Sequence, residues 1–292
     1  MELKQAISDF LLEQQFRGNT EKTVSYYDNC LNQFARFASW EIDLDDLTIP
    51  LLRNYHAGMV ERKLSSNSIQ SYIRALRSFL TWCFDQEYMA VNLPERFKLP
   101  KAKRMTIDIL TDTEIRRLFS CFNLKRLLQL RDYCICSLML DSGLRMNEVV
   151  TLRVPMLKLS EGYAIVDGKG NKQRIVPLGI GTRRVLSRYL SRRPPIAETD
   201  YLFLMSDLRP ISVNTVKQLF RKLKKRANIP RLRSHLLRHT FATLYLENGG
   251  DIYALQQILG HTSLEMVKRY VHTTRRKLIP KFSEYSPMDN LF

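Results

Sequence analysis

Six polar side chains in the second half of the chain carry groups that together could transfer a phosphodiester: Arg145, Lys169, His235, Arg238, His261 and Tyr270. They stand in the strings SGLRMNEV, GKGNKQRIVPLG, HLLRHTFAT and LGHTSLEMVKRYVH. Arginine forks grip phosphate oxygens through two-point hydrogen bonds, lysine or histidine moves protons, and a phenol can be the nucleophile. Such a set handles phosphate charge without a metal. Each member also has an ordinary structural reading. An arginine at a helix start often makes a surface ion pair, a Gly-Lys-Gly turn a solvated lysine, and a histidine a ring bonded to backbone. Tyr270 is one of thirteen tyrosines and could be an anchoring phenol. Four strings in order, at workable spacing, favour the chemical reading.

Local sequence indicates how these groups are held. Arg145 follows Ser142-Gly143-Leu144 at an expected helix start, where backbone N–H groups already favour anions, and Glu148 is a plausible orienting partner three residues on. Lys169 lies between glycines at the tip of the strand–turn–strand pattern YAIVDGKGNKQRIVPLG, able either to enter a groove or to remain a solvated turn residue. The spacing is not that of a nucleotide-binding P-loop. His235 and Arg238 are i and i+3 near another helix start, beside the apolar stripe Leu237, Phe241, Leu244 and Tyr245. His239 falls on a different face and reads as a structural histidine. Thr262 and Glu265 suggest a capping box opening a helix just after His261. Tyr270 would then lie near that helix's far end, on the order of 12 Å from His261 if the helix is straight. Either the helix packs alongside the site or the tyrosine rides on a movable segment; the polar, basic VHTTRRKLIPKF that follows favours the movable segment.

The first ninety residues read as helices joined by short polar turns. Val24, Tyr27, Leu31, Phe34 and Ala38 form one helical stripe; Ile69, Ile73, Leu76, Leu80 and Cys83 form another, beginning near Ser66 as N-cap. Arg74 and Arg77 lie off the second stripe, on a face that is either simply solvated or open to an anionic partner. Residues 91–108, with Pro94, Pro100, Lys98, Lys101, Lys103 and Arg104, have a linker composition, and this basic connector could track a phosphate backbone or be an ordinary solvated one. A second domain is expected from about Ile109, where Thr111 and Glu114 match a capping box. Further helices are expected over 180–192, 212–227, 234–248 and 251–259, with a short one from about 263. In the helix over 212–227, Val213, Val216, Phe220 and Leu223 form the apolar face, and Lys217, Arg221, Lys224 and Lys225 line another. That basic face is either solvated or laid along DNA.

Composition narrows the partner. Of 292 residues, 45% are hydrophobic, so disorder is not indicated, and 46 Lys+Arg against 29 Asp+Glu give a net charge of +17. This balance favours a polyanion, and the whole-chain charge tips the 212–227 face toward DNA contact. No apolar run approaches the ~20 residues of a spanning helix, and the polar, acidic start MELKQAISDFLLEQQ is unlike a signal peptide, so a cytoplasmic, nucleoid-associated location is expected. The five cysteines include no C-x-x-C pair, and Cys134 and Cys136 fall in an apolar helical run as core thiols.

The strings SGLRMNEV, GKGNKQRIVPLG and HLLRHTFATLYLENGGDIYALQQILGHTSLEMVKRYVH resemble the tyrosine recombinase (phage integrase) family over essentially the whole chain. The resemblance implies a mainly α fold with a small β-sheet: a helical SAM-like core-binding domain over 1–90 and an α+β catalytic domain over 109–292, closing as a C-shaped clamp on DNA. It implies a site-specific recombinase that cleaves and rejoins DNA through a 3′-phosphotyrosyl intermediate, with no cofactor, metal or ATP. Arg145 and Arg238 would clamp the phosphate, Lys169 would be the general acid, His235 would assist proton transfer, His261 would support the transition state, and Tyr270 would be the nucleophile. All six positions hold the family's residue type; Val267-Lys268 stands where many relatives carry threonine. Starting directly with core-binding helices, the chain is similar to the compact Xer-like branch. The implied partners are double-stranded DNA half-sites, three further protomers in a tetrameric synapse and a possible accessory protein. The tail after Tyr270, with Phe282, Leu291 and Phe292, would dock on a neighbouring protomer. Integration or excision of a mobile element and resolution of DNA dimers both fit. A DNA-binding protein without chemistry and a type IB topoisomerase-like relaxase are the rivals: the first forms no covalent adduct, the second acts on one duplex.

Overall fold

The computed structural model describes residues 1–98, 108–168, 173–195, 199–261 and 263–274. The chain folds as two units, Met1–Met105 and Thr106–Phe292. In the first, helices α1 (Leu3–Phe16), α2 (Glu21–Ala38), α3 (Ile49–Glu61) and α4 (Ser66–Asp85) follow one another, and a single turn, α5 (Leu93–Arg96), closes the unit. Side-chain oxygens of Thr20, Thr48 and Ser65 accept from backbone N–H groups of the first turns of α2, α3 and α4. Such caps satisfy donors that no helix can satisfy for itself. The cap of α4 is Ser65, one residue before the expected Ser66. All five residues of the Ile69–Cys83 stripe are buried, as are Leu31 and Phe34 of the α2 stripe. Phe10 of α1 sits edge-on to Tyr27, Phe79 and Trp82, with centroids 5.1, 5.5 and 5.4 Å away. Three helices therefore meet on one ring.

The expected linker is shorter than its composition suggests. Leu93 and Phe97 are buried in the first unit's core, and Arg77 Nη1 donates to the Phe97 carbonyl at 2.6 Å. Proline does not break structure here because Pro94 occupies the start of α5, where its missing N–H has no partner to lose. Arg77 is half-buried in this tie, whereas Arg74 is exposed and contacts Gln70. The two arginines therefore do not share one open face. Lys101 and Lys103 lie outside the described residues.

The second unit contains α6 (Asp112–Ser120), α7 (Leu127–Asp141), α8 (Met146–Thr151), strands β1 (Leu157–Lys158), β2 (Tyr163–Asp167) and β3 (Gln173–Pro177), then α9 (Ile180–Leu190), α10 (Val213–Arg226), α11 (Ser234–Glu247), α12 (Ile252–Leu259) and α13 (Glu265–Thr274). The strands form an antiparallel sheet in chain order, with Ile165 opposite Ile175 and Val166 opposite Arg174. Thr111 and Glu114 make the expected capping box. Val216, Leu219, Phe220 and Leu223 bury one face of α10, leaving Lys217, Arg221 and Lys224 exposed on another. α7 is buried along Leu130, Cys134, Ile135, Leu138 and Met139, and both its thiols are core residues whose ionisation burial makes harder. No helix among the described residues is long and apolar enough to cross a membrane. The mainly helical architecture with one small sheet is the one expected.

Candidate active site

The site begins where α7 stops. Ser142 caps the helix and its Oγ donates to the Pro177 carbonyl at 2.8 Å, tying this turn to the end of β3. Gly143 then adopts φ +65°, and a Cβ there would stand 2.6 Å from Phe241 Cδ1 and 2.8 Å from Leu259 Cδ2. Only glycine satisfies both the left-handed backbone and the lack of room. Gly143→Ala should therefore lower the melting temperature and reduce activity with it; an unchanged melting curve would refute this packing argument.

The reversal places Arg145 as N-cap of α8 with its side chain turned back toward Glu148. Glu148 Oε2 accepts from the Arg145 backbone N–H at 2.7 Å, and Oε1 accepts from Arg145 Nη1 at 2.9 Å. The same carboxylate receives Arg174 of β3 through two bonds, Nη1 to Oε1 at 2.9 Å and Nη2 to Oε2 at 2.8 Å. Burial pushes the Glu148 carboxyl up, but the hydrogen bonds from Arg174 and the Arg145 backbone, with the Arg174 charge, outweigh it and hold it below the usual range. Glu148 is thus an anion shared by two arginines.

A second support comes from the C-terminal end of α12. Arg174 Nε donates to the Ile258 carbonyl at 2.7 Å, Arg238 Nη2 to Leu259 at 2.7 Å, and Arg145 Nη2 to Gly260 at 3.3 Å. Three consecutive carbonyls, the negative end of a helix, each take a different guanidinium. Gly260, at φ +61°, turns the chain so that these carbonyls point into the site. Arg238, 4% exposed, also donates from Nη1 to the Gly143 carbonyl. Burial, then the neighbouring Arg145 charge, push its guanidinium down to about 10, so it remains a cation at neutral pH.

His261 follows Gly260, and its Nε2 lies 3.1 Å from Arg238 Nη2. A guanidinium can only donate, so Nε2 accepts and the ring proton of a neutral His261 resides on Nδ1. His235, at the second residue of α11, is exposed on the whole. Loss of water around its ring, followed by the charges of Arg238, Arg233 and Arg145, holds it below the usual histidine range, so it is neutral at pH 7. A neutral imidazole there can accept a proton.

Tyr270 corrects the expected placement. α13 starts at Glu265, later than anticipated, continues past Tyr270 to Thr274 and packs against α11. Of the two routes to the site, the structure takes the helix alongside rather than the movable segment. Tyr270 is 4% exposed, and its hydroxyl shares a 2.9 Å hydrogen bond with Nδ1 of His239. The phenol is also among the groups close enough to act on the Arg238 guanidinium. His239, read from the sequence as structural, is therefore the residue that holds the candidate nucleophile.

Arg238 and His261 touch directly, Arg145 joins them through the neighbouring Gly260 carbonyl, His235 lies within reach of the arginine charges, and Tyr270 attaches through the residue after Arg238. Lys169 lies outside the described residues. Sequence reasoning missed His239 and Arg174. A signal for Arg174 existed: it shares the inward face of β3 with buried Val176, while Ile175 points outward at 60% exposure. Among the described residues, no group of three or more His, Cys, Asp or Glu side chains is placed to hold a metal ion.

The sequence pattern of the Phage integrase family matches residues 108–277, and that of the Phage integrase SAM-like domain matches residues 3–99. Tyrosine recombinase XerD of Staphylococcus saprophyticus is 29% identical over 281 residues, covering 93% of this chain and 94% of that one. The crystal structure of XerA recombinase is 28% identical with a TM-score of 0.54, covering 97% of this chain and 99% of that one. The Tn1549 transposon integrase, solved in complex with a circular intermediate DNA, is 19% identical with a TM-score of 0.79 over 97% of this chain and 99% of its own, a likeness of fold. With both units matched, and with a cluster of arginines on one helix end and a helical tyrosine held beside Arg238, the chain belongs to the phage integrase family of tyrosine-type site-specific recombinases.

Proposed function

We propose that this recombinase exchanges strands between two duplex DNA sites through a 3′-phosphotyrosyl link on Tyr270. The supporting observation is the seating of Arg145 and Arg238 on adjoining carbonyls of one helix end, with Tyr270 held by the residue after Arg238. In cleavage the Tyr270 oxygen bonds to phosphorus, the P–O5′ bond breaks, the phenolic proton passes to a base and the departing 5′-oxygen takes a proton. His235, neutral at pH 7, has the form needed to assist proton transfer, and Lys169 is the proposed acid. Arg145, Arg238 and His261 stabilise charge gathering on the non-bridging oxygens. In rejoining, a 5′-hydroxyl from the partner duplex attacks the phosphotyrosyl link and the phenol leaves with a proton. One phosphoester replaces another, so no ATP is consumed, and the guanidiniums take the part a divalent metal plays elsewhere.

Duplex DNA is the partner that the +17 charge favours. Lys217, Arg221 and Lys224 offer an exposed basic face at i, i+4 and i+7, and Arg74 another exposed cation. The working assembly in this reading is a tetramer joined by exchange of the tails, with an accessory protein as a further partner; residues 275–292 lie outside the described residues. The same chemistry serves integration and excision of a mobile element or resolution of DNA dimers.

A half-site nicked next to the scissile phosphate traps the covalent step, because the short 5′-hydroxyl strand diffuses away. The protein should form an SDS-resistant adduct through the DNA 3′ end, unaffected by EDTA. A 5′-linked adduct, or one that vanishes with chelator and returns with magnesium, would sink the proposal.

A further inference from the structure

We propose that Arg174 is a positioning residue for strand cleavage, a three-point brace that sets the Arg145 guanidinium and the turn carrying His261 in place before the phosphate arrives. The inference rests on the reading of Arg145 as a phosphate clamp. Arg174 commits Nη1 and Nη2 to the two oxygens of Glu148 and Nε to the Ile258 carbonyl. Glu148 is the carboxylate that orients Arg145 by both its backbone and its side chain. Ile258 precedes the two residues whose carbonyls hold Arg238 and Arg145. One planar fork therefore links a strand, a helix start and a helix end that are distant in sequence. Gly260 lies directly beneath it, since a Cβ there would stand 3.1 Å from Arg174 Cδ.

Stability alone does not call for this arrangement. A buried ion pair generally adds little over a well-packed apolar pair of similar volume, because two charges must be desolvated. Here a third cation is added beside Arg145 and Arg238, and it occupies the inward face of β3 while Ile175 faces solvent. What the arginine supplies and an apolar residue does not is direction. Its fork fixes the plane of the Glu148 carboxylate, which fixes the Arg145 guanidinium. Lysine keeps the charge but cannot make the bidentate contact and the Ile258 contact together.

The test compares two scissile groups in the nicked half-site: the ordinary phosphodiester and a methylphosphonate, in which one non-bridging oxygen is replaced by methyl and the negative charge is removed. Cleavage of the uncharged group depends far less on a guanidinium clamp. Arg174→Lys should slow adduct formation on the phosphodiester by about 10²-fold, the size expected for an approximately 1 Å misplacement of a catalytic group. On the methylphosphonate the loss should shrink to a few-fold, the same substrate dependence as Arg145→Ala. The double variant Glu148→Gln/Arg174→Gln, which removes the carboxylate and its bidentate partner together, should repeat it. Equal losses on both substrates, no loss on the phosphodiester, or failure of both variants to fold would overturn the proposal. If Arg145→Ala itself loses activity equally on both substrates, the clamp reading has failed, and the proposal fails with it; that fault is visible in the Arg145 control alone.

Discussion

Tyr270→Phe should form no covalent adduct with a nicked half-site while binding that DNA as tightly as the parent chain. The substitution removes one oxygen and keeps the ring, so the packing of α13 on α11 is preserved. The hydrogen bond to His239 is lost, and a bond of this kind contributes only about 0.5–1.5 kcal/mol net. Chemistry is affected far more severely. A phenol has a reference pKa of ~10 and needs the surrounding cationic field to react near neutrality, and phenylalanine offers no atom to form the phosphoester. Gel retardation would report binding, and denaturing electrophoresis the adduct. Residual adduct at any rate above background would identify another nucleophile and remove Tyr270 from its assigned role.

Arg238→Lys comes second in expected effect. The parent fork donates to the Gly143 and Leu259 carbonyls and lies against His261 Nε2, so three elements meet on one guanidinium. A lysine ammonium cannot span those acceptors and also present a planar edge to a phosphate. Loss of one such electrostatic contact lowers rates by about 10²–10³, by analogy with oxyanion-hole donors, and the orphaned buried carbonyls should add about 1–3 kcal/mol of destabilisation each. DNA affinity should hold within a few-fold, because many phosphates share the binding energy. Adduct rate, melting temperature and gel retardation measured together separate these effects. A rate within tenfold of the parent would show that Arg238 does not face the reacting phosphate.

Much of this was legible in the residues. The Ile69–Cys83 stripe is buried throughout because a 3.6-residue period leaves one face no alternative. The Arg145–Glu148 pair was readable because i and i+3 on a helix start are neighbours by geometry alone. The His239–Tyr270 contact joins residues 31 apart, and nothing local marks it, since it arises only when α13 docks on α11. Polarity after Tyr270 suggested a loose segment, but Val267 and Tyr270 itself, both buried, anchor the helix. Composition misjudged residues 93–97 for a similar reason: Leu93 and Phe97 outweigh the prolines and charges around them. Arg174 escaped notice because β3 inverts the usual alternation, burying the charge and exposing the isoleucine.

Arg145 and Arg238, seated side by side on the α12 carbonyls, should also let the folded state take up inorganic anions. Glu148 pairs with both Arg145 and Arg174, so it balances only part of the charge gathered here, and the Arg145 charge weakens the hold of Arg238 on its proton. A doubly charged anion seated between them would relieve that repulsion in the folded chain and find no counterpart in the unfolded one. Folding and anion binding are then linked by mass action, with a stability gain that grows logarithmically with anion concentration. Sulfate should raise the melting temperature of the parent chain more than that of Arg238→Gln, a difference that the general salting-out effect of sulfate, common to both, cannot produce. Equal increments in the two proteins would mean that the arginines do not form a common anion seat.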